Sequence, residues 1–525
     1  MKETQTEKMK NSIFYSFFEK YSRFCLIFVL FLLFALLFAN SSKWYFRKDF
    51  SRDKLYTLSP FTKELLDTLG EKVQITYYVS EKLQNLYPQT KDITEYLKAY
   101  ANYSRQISLK IVDPQKDGSA SMLEQMGIQP QQLQSSSQDE TSLLTVFSAI
   151  VVEYSGKNES IPFLLSTSGL EFDLDSRIQY MATGKQRRAA VIIGNGQDIN
   201  ETYPYLLPWL QSAGFVTGEI LPKQLPLIDA GTPLLIIGSN AFDDDDIFEI
   251  ESHIMAGANA AVFTSPNSVN AFSDWQAQTD KNTKFLQLLD FWGIKIQNEL
   301  VLDISNYRLT MQSPTSEGGT YNEYLNYPFW LVVKNPQNTA LAHSLAAAFY
   351  GAELYWPSPL QLFETEELKI EPFLKTSPAA WLMPQPFDTD PFSNKGAGSG
   401  TKSEHILAAS AQGIVNGFYT TGKSQPVKLF VCGDQFLPSK MIEYTNSPNN
   451  LDFVTSVMLF LNGEDELLQI RSKGMRSNSL EKISEKDEFA KAKNCTLFDC
   501  IILPCLAVAI IWALTGILRH KRKFL

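Results

Sequence analysis

The sequence predicts an α/β protein: two α/β domains carried between an N-terminal and a C-terminal membrane-spanning helix. Three observations predict it. Phe24 to Asn40 (FCLIFVLFLLFALLFAN) lies in a stretch of about 19 uncharged residues between Arg23 and Lys43, enough to cross a hydrocarbon core of ~30 Å as one helix. Cys500 to Leu518 is a second uncharged run of about 19 residues. Between the two, short β-branched runs alternate with amphipathic stretches, the order of strands and helices found in α/β folds.

About 23 residues precede the first run and no A-x-A pattern follows it. An uncut anchor therefore fits better than a cleaved signal peptide, whose apolar core is usually ~7–15 residues long. Trp44, Tyr45 and Phe46 come next, rings suited to a membrane–water interface. Pro504 in the second run would suit a buried soluble helix, but proline is tolerated in membrane helices, and the basic RHKRKF that follows reads as a cytoplasmic stop. Lys8, Lys10, Lys20 and Arg23 precede the first run, whereas Lys43, Arg47, Lys48, Arg52 and Lys54 follow it; a loop this large translocates largely regardless of its charge. Arg519, Lys521, Arg522 and Lys523 outweigh Lys491 and Lys493. The expectation is a two-pass inner-membrane protein with both termini cytoplasmic and the large loop extracytoplasmic. Its expected parts are 1–22 cytoplasmic, 23–42 spanning, 43–168 a first α/β domain and 169–463 a second with a long insertion. A linker at 464–497, a span at 498–518 and a cytoplasmic tail at 519–525 follow.

The 525 residues carry a net charge of −10. No basic face is left once the tails are set aside, which argues against a nucleic-acid binder. Of the five cysteines, Cys25, Cys500 and Cys505 lie in the apolar runs, Cys495 just before one, and Cys432 in an apolar strand. None has disulfide or zinc-ligand spacing.

Along the loop, Ser59-Pro60 is a helix start: the serine caps a backbone N–H and the proline gives up one that would be unpaired anyway. Leu65, Leu66 and Leu69 make one apolar face and Gly70 ends the helix. Val73 to Ser80 and Ile107 to Pro114 read as strands, with an amphipathic helix from Asp92 to Tyr103 between them and another around Met122 to Met126. The Gln/Ser-rich Gln129 to Gln138 is too polar to pack and reads as a loop; LLTVFSAIVVEYSG and ESIPFLL read as two strands of a hairpin. A connecting helix, Leu170 to Ala182, leads to AAVIIGNG, PLLIIGSN and AAVFTSP with helices at Tyr203 to Ala213 and Ile247 to Ala256. This is the pattern of a parallel sheet covered on both faces. It resumes at Pro426 to Pro438 and the helix Asn450 to Leu461. The intervening stretch, with WPSPL, KTSPAAWLM and SNKGAGSGTKS, reads as a mobile surface insertion, and Glu464 to Lys493 as a charged linker.

Candidate chemistry is sparse. GNGQD at Gly194 follows a strand but lacks the third glycine of a dinucleotide fingerprint, and reads as a tight strand-to-helix turn. Asp243 to Asp246 could gather calcium, yet acidic residues before IFEIESHI suit a helix N-terminus better. Ser239 follows a strand without a G-x-S-x-G elbow, Cys432 precedes its turn, and His253, His343, His405 and His520 show no motif. No catalytic centre, cofactor or metal is expected. Arg47, Asp49, Arg52, Asp53 and Tyr56, between the first span and the capped helix, are the candidate partner interface.

RKDFSRDKLYTLSPFTKELLDTL, ISLKIVDP, LEFDLDSRIQYMATGKQRRAAVIIGNGQ, NYPFWLVVKNPQN, VCGDQFLP and NNLDFVTSVMLFLNGEDELLQIRSKG together resemble one family across nearly the whole chain. It is the auxiliary component of an ABC-type transport system associated with gliding motility (GldG-like). The turn after VIIG departs from it, reading GNGQD where a histidine–glycine–glutamate turn is usual. The resemblance implies a membrane subunit working with a separate ATPase and permease, and a second domain similar to the class I glutamine-amidotransferase fold without its catalytic cysteine. The expected function is that of a non-enzymatic accessory subunit whose outer domains bind substrate or an envelope partner. A hydrolase or transferase acting on an envelope polymer, and a tether between membrane and wall, are the competing classes.

Overall fold

The computed structural model describes residues 57–136, 141–314, 320–334, 340–393 and 400–474, and near the C-terminus 493, 495–506, 508–510 and 512. The chain divides into two units, 1–475 and 476–525.

In the first unit, helix α1 (Pro60–Asp67) starts as its sequence dictates: Ser59 Oγ accepts the Thr62 N–H at 3.0 Å and Pro60 takes the first position. Its Leu65 and Leu66 are buried against a four-stranded sheet. That sheet has the order β2-β1-β5-β6, with β1 Val73–Val79, β2 Ile107–Val112, β5 Ser148–Tyr154 and β6 Lys157–Ile161. β1 and β2 are parallel, β5 is antiparallel to β1, and β5 and β6 form a hairpin. Helix α2 (Gln89–Tyr103) buries Ile93, Tyr96, Leu97 and Tyr100, residues spaced three or four apart on one face. The Gln/Ser-rich stretch is not a loop. β3 (Gln131–Ser136) pairs antiparallel with β4 (Thr141–Val146). A two-strand ribbon is held by main-chain hydrogen bonds, so polar side chains do not prevent it.

Helix α3 (Leu170–Thr183) leads into the larger sheet. β7 (Arg187–Ile193), β8 (Phe215–Glu219), β9 (Leu234–Ile237), β10 (Ala260–Phe263) and β22 (Val427–Cys432) are mutually parallel. Their spatial order β8-β7-β9-β10-β22 is 2-1-3-4-5 in chain order, a doubly wound arrangement. β9 and β10 are buried at every position, which is why their sequences read as unbroken apolar runs. Helices α4 (Leu206–Ser212) and α5 (Asp244–Met255) connect them. Asp243 and Asp246 form a capping box at the start of α5, the role that sequence assigns to the acidic run.

The insertion differs most from the sequence reading. Instead of a mobile surface segment, it supplies β13 (Ile294–Ile296), β18 (Leu360–Leu362), β19 (Leu368–Lys375) and β21 (Ile406–Gly413), antiparallel strands that complete a nine-stranded sheet. The sheet is therefore mixed, not parallel throughout. The rest of the insertion forms the ribbons β11 (Asn267–Val269) with β12 (Ala277–Thr279) and β14 (Leu300–Leu302) with β20 (Trp381–Met383). A three-stranded sheet of β15 (Asn306–Pro314), β16 (Thr320–Val333) and β17 (Ala352–Tyr355) adds to these. Of SNKGAGSGTKS, residues 394–399 lie outside the described residues. The expected linker also begins as structure: α8 (Asp465–Gly474) buries Leu467, Leu468 and Ile470 beside α7 (Asn449–Leu461). Three apolar residues on one turn suffice to dock a short helix that lies against an existing core.

In the second unit, Phe498–Ile502 is a π-helical turn, and Ile501, Leu503, Leu506, Val508 and Ile510 are exposed. Among the described residues no helix is long and apolar enough to cross a membrane. The run Phe24 to Asn40 lies outside them, and Cys500 to Leu518 is described only in part.

The main core centres on α7, where Phe453 stacks on Phe373 at 5.9 Å and meets the edges of Phe349 and Phe430 at 5.1 and 5.7 Å. Phe453→Ala should leave a cavity between helix and sheet and cost about 3–5 kcal/mol, read as a lower denaturant midpoint of the full-length protein in mild detergent.

Candidate functional site

Open α/β sheets bind ligands beyond the carboxyl ends of their strands, where the strand order reverses. Here that place lies between β7 and β9, and the protein fills it itself. A Cβ on Gly194 would come within 2.3 Å of the Phe242 ring and 2.6 Å of the Gly238 carbonyl oxygen. Gly238 has φ +72° and packs on Asn195. The glycines thus serve close packing, not a phosphate cradle. Asn195 Nδ2 donates to Tyr203 Oη at 2.9 Å and to Gln435 Oε1 at 3.1 Å. Ser239 Oγ has Thr264 Oγ1 as partner at 2.8 Å, not an imidazole; His253 Nε2 faces the Thr232 carbonyl. Cys432 is fully buried, and burial together with the nearby Asp434 charge pushes its thiol up, away from the reactive thiolate. Burial raises Asp434 to about 7, although it accepts the Tyr355 and Phe436 N–H groups, each at 2.7 Å. Gln435 Nε2 reaches the Asn267 carbonyl at 3.2 Å. The polar groups at the strand ends therefore clamp the insertion onto the sheet. Among the described residues no three of His, Cys, Asp and Glu converge as metal ligands.

Arg47, Asp49, Arg52, Asp53 and Tyr56 lie outside the described residues, but the segment that continues from them ends in a second polar cluster. It sits at the head of α3. Glu171 Oε1 accepts the Ser59 N–H and the Thr62 hydroxyl, both at 2.6 Å. Asp175, one turn on, receives Tyr100 Oη of α2 at 2.7 Å and lies 2.6 Å from Thr62 Oγ1. From α8, Lys473 Nζ pairs with Glu171 at 3.5 Å and donates to the Thr57 carbonyl at 3.0 Å. Both carboxylate side chains are buried. Sequence reasoning missed all of these residues except Ser59. One signal was present: Glu171 and Asp175 are four apart, on the face that carries Leu174 and Ile178, and a carboxylate pair on an apolar face needs donors from elsewhere. Beside it, a cavity of about 280 Å³ is lined by Phe172, Asp173, Trp209, Asp452 and Arg471. Its charges are already paired, Arg471 with Asp452 at 2.6 Å and Arg177 with Asp173 at 3.3 Å.

The contacts of the cluster fit one proton more than two ionised carboxylates bring. Thr62 Oγ1 makes three short contacts, to Ser59 Oγ at 2.7 Å and to each carboxylate, while the two hydroxyls supply two protons. A carboxylic acid in place of one carboxylate supplies the third. Glu171 already faces Lys473 and the Ser59 N–H, so Asp175 is the acid: it donates to Thr62, which donates to Glu171. Burial, reinforced by the Glu171 charge, raises Asp175 to about 8 in spite of the hydrogen bond that Tyr100 donates to it. The folded chain thus keeps a proton that the unfolded chain has released. Its contribution to stability is complete below the ordinary carboxylate range and is lost as pH rises to about 8, with a slope of at most about 1.4 kcal/mol per pH unit. Asp175→Asn should flatten this dependence: near-wild-type melting at acid pH and a higher melting temperature than wild type at alkaline pH, measured on the full-length protein in mild detergent.

The family model for an ABC-type uncharacterized transport system matches residues 186–457, just over half of the chain, and a domain of unknown function matches residues 52–153. A protein of Borreliella burgdorferi described as uncharacterized is 26% identical over 502 residues, covering 93% of this chain and 95% of that protein. The first match takes in the doubly wound sheet, the insertion and most of α7. The chain belongs to the family of auxiliary components of an ABC-type uncharacterized transport system.

Proposed function

We propose that the chain is a non-enzymatic accessory subunit of an ABC transporter, anchored at both ends in the inner membrane, whose extracytoplasmic region binds substrate or an envelope partner. The observation that carries this reading is a contact between the segments that lead to the two apolar runs. Lys473, at the end of α8, reaches Thr57, the first described residue, at 3.0 Å. The segments that lead to the two apolar runs are thus side by side at Thr57 and Lys473, as attachment to a single membrane surface requires. The exposed apolar side chains from Leu497 to Trp512 support the second anchor. The parallel strand order supports a core similar to the class I glutamine amidotransferases, with the strand-end position given over to packing. A separate permease and ATPase are the partners, and the juxtamembrane Arg47, Asp49, Arg52, Asp53 and Tyr56 orient the folded region against the permease and the bilayer. The gliding-motility-associated branch of the family is the finer assignment, carried by the sequence blocks that resemble it.

Reporter fusions at Gly398 and after Leu525 should report opposite sides of the membrane, the former outside. Both on one side would end the two-anchor reading. Exposed charges contribute only ~0–1 kcal/mol each to folding. Replacing Arg47, Arg52 and Asp53 together by Ser should therefore leave melting nearly unchanged while weakening co-purification with the permease. Ser239→Ala should leave function in cells near wild type; its full loss in a well-folded, normally located variant would instead favour a hydrolase or transferase.

A further inference from the structure

α1 and α8 meet at one buried polar cluster on α3. α1 and α8 have eight and ten residues, too short to persist without docking. Ser59 and Thr62 fasten α1 to α3 through Glu171 and Asp175, and Lys473 fastens the end of α8 to Glu171 and to the Thr57 carbonyl. We propose that this cluster is a proton-held latch that joins the two membrane-directed ends of the fold, and that loss of the proton shared through Thr62 releases α1 and the end of α8 from α3 together. Its place between two stems rests on the two-anchor reading; the latch chemistry does not.

The groups facing Asp175 are Thr62 and Ser59 at α1, Tyr96 and Tyr100 of α2, Glu171 of α3 and Lys473 of α8. When the Asp175 hydroxyl gives its proton to solvent, the single Thr62 hydroxyl proton serves one carboxylate and leaves the other without it. Two negative charges then share one buried site with a single cation. Both tyrosines are raised by burial and by these same carboxylates, so neither supplies a replacement proton. Relief comes from letting water in, and the pieces that yield are the short helices, since α3 is fixed on both sides by larger packing.

Hydrogen-exchange protection in the full-length protein in mild detergent, corrected for intrinsic rates at pH 6.5 and 9, tests this. In the wild type, residues 59–67 and 465–474 should lose protection together, at least tenfold, while β9 and β10 keep theirs. Asp175→Asn, whose amide donates to Thr62 at any pH, should hold both helices closed at both values. Should that variant not fold, Lys473→Gln, at the partly exposed rim, should loosen α1 along with α8 at both pH values. The proposal is overturned if the two helices respond independently, if β9 and β10 open in step with them, or if Asp175→Asn opens as the wild type does. Failure of the two-anchor reading would show in the reporter fusions and leave this exchange pattern unchanged.

Discussion

The burial of Glu171 and Asp175 on one helix is the constraint on which the arrangement of the folded region depends. Taking two carboxyls out of water costs several kcal/mol each unless their oxygens find donors. The donors are four residues from three helices: Ser59 and Thr62 at α1, Tyr100 on α2 and Lys473 on α8. Satisfying the pair therefore fixes the small N-terminal sheet, the entering chain and the leaving chain relative to α3 at once. At its other end α3 meets the same departing segment, where Gln179 accepts from Arg187 at 2.6 Å and Arg187 lies 3.8 Å from Glu464. A helix that looks like a connector holds the two layers together.

The strand ends of the larger sheet show the opposite use of polar groups. Where a doubly wound fold would keep a crevice, Phe242, Asn195, Gln435 and Asp434 fill the space and satisfy one another or the backbone of the insertion. Such a network rigidifies because every member is paired in a low-dielectric setting. A fold whose ligand position has become a clamp presents its surfaces and its chain ends to partners, which suits an auxiliary component of a transport system.

The insertion is held by rings. Trp275 and Trp356 adopt φ +58° and +50°, backbone that bulky residues avoid and that persists only when the surroundings over-determine it. Trp275, Tyr327, Trp330 and Trp356 sit with centroids 5.0–6.3 Å apart, in tilted and edge-on contacts that favour aromatic packing. At such spacings the rings touch and leave no room for a ligand between them. They act as a second core.

The sequence by itself determined the elements whose signals are local. The Ser59-Pro60 cap, the acidic start of α5, and β7, β9, β10 and β22 all read correctly, because capping is decided within one turn and a strand covered on both faces must be apolar along its length. Tertiary structure alone decided three things. QQLQSS became β3 because main-chain pairing carries no side-chain signature. The insertion's strands joined the same sheet because β21 finds β22 across a short connection, whereas β18 and β13 arrive from far earlier in the chain. Glu171 and Asp175 became a buried site because Thr62 and Lys473, 109 and 302 residues away from Glu171, supply the donors. In LEFDLDSRIQY the same letters describe an ordinary solvated helix face; only the partners that folding brings to it make the difference.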